Sequence, residues 1–80
     1  MKTYKIYITE MCEDLVIVNH YEFVNYFEDD LTAIHYTLKM LKNIMDSSSI
    51  KYIEYYDTDC EIDYEVKIIS HGDDIMSAHF

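Results

Sequence analysis

The chain opens on a strict alternation: Tyr4, Ile6 and Ile8 fall on one side, Lys5 and Tyr7 on the other. A period of two marks a half-buried strand over residues 3–9. Residues 10–14 are polar enough to turn, and Leu15-Val16-Ile17-Val18 is a β-branched run suited to pairing back as a hairpin. The turn lacks Asn-Gly or Asp-Gly, so the pattern leaves its register open. From Val24 onward the apolar positions step by three and four, through Phe27, Leu31, Ile34, Leu38, Leu41 and Met45. That stripe predicts one face of an amphipathic helix over residues 31–45, extended back toward residue 21. Asn19 and Glu22 offer a capping box at its start, and Ser47-Ser48-Ser49 a stop. Glu28-Asp29-Asp30 interrupts the pattern. These acids either sit in mid-helix or cap a second helix through Asp29 or Asp30, and the aromatics of residues 21–27 also suit a strand.

Two further strands are expected at residues 50–56 and 62–69, joined by Asp57-Thr58-Asp59-Cys60. The later one alternates most clearly, with Ile62, Tyr64, Val66 and Ile68 inward and Asp63, Glu65 and Lys67 outward. A two- or four-residue connection would set Tyr55 opposite Ile62 and Ile53 opposite Tyr64. It would gather Tyr52, Glu54, Tyr56, Glu61, Asp63 and Glu65 on the reverse face, with Glu54 facing Asp63. After Gly72, residues 73–80 read as a short tail of one or two helical turns. The order β-β-α-β-β implies a single α+β domain over residues 1–80: a four-stranded antiparallel sheet with one long amphipathic helix packed on one face.

Composition sharpens this picture. Half of the 80 residues are hydrophobic, with nine Tyr and three Phe, no Pro and one Gly, which excludes a disordered tail. Sixteen acids face six lysines and no arginine, for a net charge of -10. Such a field repels nucleic acid and anionic membrane and draws the chain toward basic surfaces. No apolar run approaches the roughly 18 residues of a membrane span, and the alternating N-terminus is no leader. Cys12 and Cys60 lack any paired spacing and suggest reduced thiols in a soluble, cytoplasmic protein. The wealth of Lys, Ile, Tyr, Asn and Asp also fits a low-GC coding sequence.

Chemistry is scarce. Asp57-Thr58-Asp59-Cys60-Glu61-Ile62-Asp63 resembles a calcium loop but has Ile62 at the glycine position and Ile68 where the bidentate Glu belongs. His20, His35, His71 and His79 show no zinc spacing, so no metal or cofactor is expected. Cys12 and Cys60 lie among acids, which disfavour the thiolate, and Ser47, Ser48 and Ser49 look like a connection. A single Gly cannot build a phosphate loop. An enzyme is not expected.

The strongest constellation is acidic: Glu54, Asp57, Asp59, Glu61, Asp63 and Glu65, flanked by Tyr52 and Tyr56, with Glu28, Asp29 and Asp30 as a second patch. Alternate strand residues lie about 6.7 Å apart, against one phosphate per about 3.4 Å on a DNA strand, so two acidic rows approach that charge density. An ordinary solvated face, kept charged for solubility, is the competing reading. In size, acid excess, residue usage and mixed fold the chain resembles the small acidic anti-defence inhibitors that phages encode, the anti-CRISPR and DNA-mimic antirestriction proteins. The resemblance implies stoichiometric inhibition without chemistry in the host cell cytoplasm. The acids would occupy the basic channel of a CRISPR effector or other nuclease and exclude its DNA or RNA, with no direct binding of nucleic acid or membrane. The alternative is a small structural or regulatory module, homodimeric through the helix stripe or a β-edge, whose acidity serves solubility alone.

Overall fold

The computed structural model describes residues 1–12, 16–56 and 62–80, the side chains at 16, 18 and 48–56 excepted. Its elements run β1 (Lys2–Cys12), β2 (Val16–Phe27), α1 (Asp30–Tyr56), β3 (Ile62–Ser70) and β4 (Asp73–His79). All strand pairs are antiparallel, in the order β2-β1-β3-β4. The fold is therefore the expected α+β arrangement in the expected element order, although three elements differ in extent or type.

The inward rows of β1 and β3 make the core. Ile6 and Ile8 lie beside Ile68 and Val66, and these four are buried together with Tyr4 and Ser70. From α1, Ala33 and Leu41 join the same cluster, with Ile34, Met40 and Ile44 at its margin. Ala33, buried Thr37 and Leu41 are four residues apart, so they occupy one helix face. Thr37 donates its hydroxyl to the Ala33 carbonyl at 2.8 Å, which spares that face an unpaired polar atom.

The first correction concerns β2. It is one strand of 12 residues where a short strand and a helix extension to residue 21 were expected. Tyr21 pairs with Ile8 and Phe23 with Ile6, and both aromatics pack on the core. Aromatic and β-branched side chains gain from such cross-strand neighbours, and the helical step from Val24 to Phe27 is coincidental. Val24 is 62% exposed, on the sheet face away from the helix. The capping box of Asn19 and Glu22 does not form. Asp29 is the cap instead, its Oδ1 accepting from the Thr32 amide at 2.8 Å and the Thr32 hydroxyl at 2.7 Å.

The second correction concerns α1, which runs through Ser47-Ser48-Ser49 and replaces the strand expected at 50–56. Serine costs a helix only about half a kcal/mol relative to alanine, and neither Gly nor Pro is present to stop it. Geometry demands the length. Phe27 pairs with Lys2 and Ile62 with Cys12, so the connection must return along the whole of β1. Eleven strand residues span about 36 Å and 27 helical ones about 40 Å, which match.

The third correction is at the C-terminus, where the expected helical tail is β4. Ser70 pairs with Asp73 across His71 and Gly72, which have φ of 51° and 81°. Two successive positive φ values give the primed two-residue turn that fits strand twist, with His in the role usually held by Asn. Consequently β3 pairs with β1 and β4, and the expected pairs Tyr55–Ile62, Ile53–Tyr64 and Glu54–Asp63 are replaced by Cys12–Ile62, Glu10–Tyr64 and Met11–Asp63. Cys12 is disulfide-bonded, contrary to the expected free thiols. The only other cysteine, Cys60, precedes Ile62 by two positions and lies outside the described residues.

Candidate partner-binding surface

The sheet face away from α1 is uncovered by the described residues. Along β1 it presents Thr3, Lys5, Tyr7 and Thr9; along β2, His20, Glu22, Val24 and Tyr26; along β3, Asp63, Glu65, Lys67 and Ile69. Asp63 and Glu65 therefore do point outward on one strand, as their alternation predicts, Asp63 opposite Met11 and Glu65 between Thr9 and His79. Lys5 and Lys67 share the face, so the described part of the sheet surface is mixed in sign.

The remaining expected site residues separate into three groups. Glu54, Tyr52 and Tyr56 belong to α1 and not to a strand beside Asp63. Asp57, Asp59 and Glu61 lie outside the described residues. Glu28, Asp29 and Asp30 stand at the opposite end of the sheet from Asp63, about 30 Å away along β1. Two of those three acids have structural work. Asp29 caps α1, and its carboxyl is held below the usual 3.8 by the hydrogen bonds from the Thr32 hydroxyl and amide. Asp30 accepts from the Tyr4 hydroxyl at 2.6 Å and lies 3.7 Å from Lys2 Nζ, tying the helix start to β1. Burial first, and Asp30 second, push the Tyr4 phenol up to about 12. Glu28 is exposed.

At the other end of β1 three strand termini lie side by side. Cys12 is flanked there by its register partners Val16 on β2 and Ile62 on β3. Between Cys12 and Val16 the sequence holds Glu13 and Asp14, and between Tyr56 and Ile62 it holds Asp57, Asp59 and Glu61. Asp63 is the first exposed acid on the strand that follows.

One polar row is hidden from the sequence reading because Asn19 and Glu22 offer a helix-capping box. His20 lies beside Thr9, its Nδ1 2.9 Å from Thr9 Oγ1 and its Nε2 3.0 Å from Glu22 Oε1, with the Tyr7 ring stacked nearby. A period of two over 16–27 would have placed His20 and Glu22 together. Hydroxyl, imidazole and carboxylate in line resemble a nucleophile relay, but the imidazole is 43% and the carboxylate 65% exposed, beside an open depression of about 300 Å³ lined by Tyr7, Thr9, His20, Glu65, Lys67 and Ile69. The row is open to water, and its two contacts orient the imidazole. Among the described residues no group of three His, Cys, Asp or Glu is arranged to hold a metal ion, and no helix is long and apolar enough to cross a membrane. Compared with family models, curated proteins and solved structures, the chain matches none.

Proposed function

We propose that the chain is a non-enzymatic inhibitor of the anti-CRISPR kind. Its acidic end engages the basic nucleic-acid-binding surface of a CRISPR effector or other nuclease and excludes DNA or RNA by charge. The observation that carries this reading is the outward placement of Asp63 and Glu65 on β3, the strand that Asp57, Asp59 and Glu61 precede in sequence. The recognition element is thus the Asp63 end of β3, and the patch of Glu28, Asp29 and Asp30, about 30 Å away, falls outside it. Attraction of this type speeds association and is screened by salt. Titration against a guide-loaded nuclease at low and high salt should give an affinity that falls as salt rises. The variant D63K/E65K should bind at least about tenfold more weakly at low salt with its circular dichroism unchanged. Affinity indifferent to both changes rejects the proposal.

A second reading has its own observation. Leu31, Leu38 and Met45 are 61%, 36% and 38% exposed and seven residues apart, a straight apolar line on α1. A homodimer through that line is the alternative, and sedimentation of the parent chain beside Leu38→Lys separates the two.

A further inference from the structure

The sheet has two edges, and β2 is the long one: 12 residues, rich in β-branched and aromatic side chains, with no Pro, Gly or Lys in it. Such an edge is a template for another strand, which folded proteins ordinarily blunt with charge, proline or a bulge; β2 has one acid, Glu22, and one register shift, between Ile17 and Asn19, and from Asn19 to Phe27 its pairing with β1 is regular. Its outward groups can be identified. Tyr64 and Phe80 exchange both backbone bonds, Tyr64 N to Phe80 O at 3.0 Å and Phe80 N to Tyr64 O at 2.8 Å. Since N–H and C=O directions alternate along a strand, Glu65 and Lys67 turn theirs toward β1, and Thr9 and Tyr7 turn theirs toward β3. Ile8, Ile6 and Tyr4 then bond Tyr21, Phe23 and Asn25, which leaves the amides of His20, Glu22, Val24 and Tyr26 pointing out of the sheet.

Two of those four amides are already occupied. The His20 N–H donates to Asn19 Oδ1 at 2.9 Å and the Tyr26 N–H to Asn25 Oδ1 at 2.8 Å. Each asparagine thus covers the next residue's amide, and Asn19 also donates its Nδ2 to the Tyr21 hydroxyl at 2.9 Å, which fixes the amide plane. We infer that Asn19 and Asn25 are edge guards that keep β2 from pairing with the β2 of a second copy. Between Asn19 and Tyr26 an incoming strand finds free amides only at Glu22 and Val24, a single step of about 7 Å, too short to register a strand, and the register shift beside Asn19 separates this stretch from Ile17. The device suits this edge. The flanking side chains Ile17, Val24 and Tyr26 are 63%, 62% and 60% exposed and would otherwise reward pairing.

The test uses the full chain. By amide hydrogen exchange, His20 and Tyr26 should exchange about tenfold more slowly than Glu22 and Val24. In N19A/N25A that difference should vanish, and sedimentation velocity should show association above the parent's at the same concentration. Adding Val24→Pro should return the triple variant to the parent's state, because the Val24 N–H points outward and proline removes no bond to β1. Equal exchange at the four amides overturns the inference, as does an N19A/N25A chain that associates no more than the parent. Association that survives Val24→Pro, or comes with loss of the native circular dichroism, also overturns it, since the cause would then be unfolding and not the edge.

Discussion

Glu10 is the residue with the clearest energetic oddity. It sits at the end of the inward row of β1, beside Tyr64, wholly buried, and neither carboxylate oxygen has a hydrogen-bond partner among the described residues. A buried polar group left unpaired costs about 1–3 kcal/mol, more when charged, and an apolar replacement of similar shape removes that cost. Glu10→Met is therefore expected to stabilise the chain by about 1–3 kcal/mol, read as a higher urea midpoint at neutral pH. A lower midpoint would show that the carboxylate holds something in place. Tyr4 makes the opposite case, a buried phenol satisfied by Asp30. Its pKa in the folded chain is raised from 10.0 to about 12, so its contribution is complete below pH 10 and is lost as pH rises toward 12. Tyr4→Phe should lower the melting temperature at neutral pH yet flatten the fall in stability across that alkaline window. For Asp29, with its pKa lowered, the window is acidic: the cap holds above 3.8 and fails as pH drops below it.

At the scale of elements, Ser47 offers the sharpest test, because the serine run reads as a connection and lies inside a helix. Proline in a connection is tolerated, whereas inside a helix it removes a bond and clashes with the preceding turn at about 3 kcal/mol or more. Ser47→Pro should accordingly lower the urea midpoint severely, and Ser47→Ala should raise it slightly. This contrast explains which elements were legible. β1 and β3 alternate cleanly because one face of each is buried and the other wet, and the row Tyr64, Val66, Ile68 could be read directly. The residues from Leu31 to Met45 were readable for the same reason at the helical period. Residues 21–27 and 50–56 were not, since aromatics and isoleucine serve both periods and only the length of β1 decides between them. The hairpin at His71-Gly72 hid because a histidine stands where an asparagine would have announced the turn. The site suffered likewise: Asp63 and Glu65 lie on one face of one strand, as read, but their supposed neighbour Glu54 lies in α1.

For the whole molecule the governing quantity is a charge of -10 on 80 residues. Ion pairs such as Lys2 with Asp30, and His20 with Glu22 when the imidazole is protonated, lie on the surface and offset little of it. Like charges crowded on a small body repel one another, which weakens the folded state more than the expanded one. Salt shortens the reach of that repulsion to about 10 Å at 0.1 M and about 3 Å at 1 M. Adding sodium chloride should therefore raise the melting temperature by about 5 °C, steeply at first and then level as screening saturates. The shape of the curve matters, because a general salting effect on apolar surface grows in proportion to concentration and does not level off. A flat or linear response would mean that the acids are compensated one by one within the fold. The same screening acts with the other sign on the proposed complex, where attraction across the interface is what salt removes. Stability that climbs with salt while affinity falls is the behaviour expected of a chain that carries unfavourable charge in order to meet a basic partner, and a surface acidic only for solubility would show the first trend without the second.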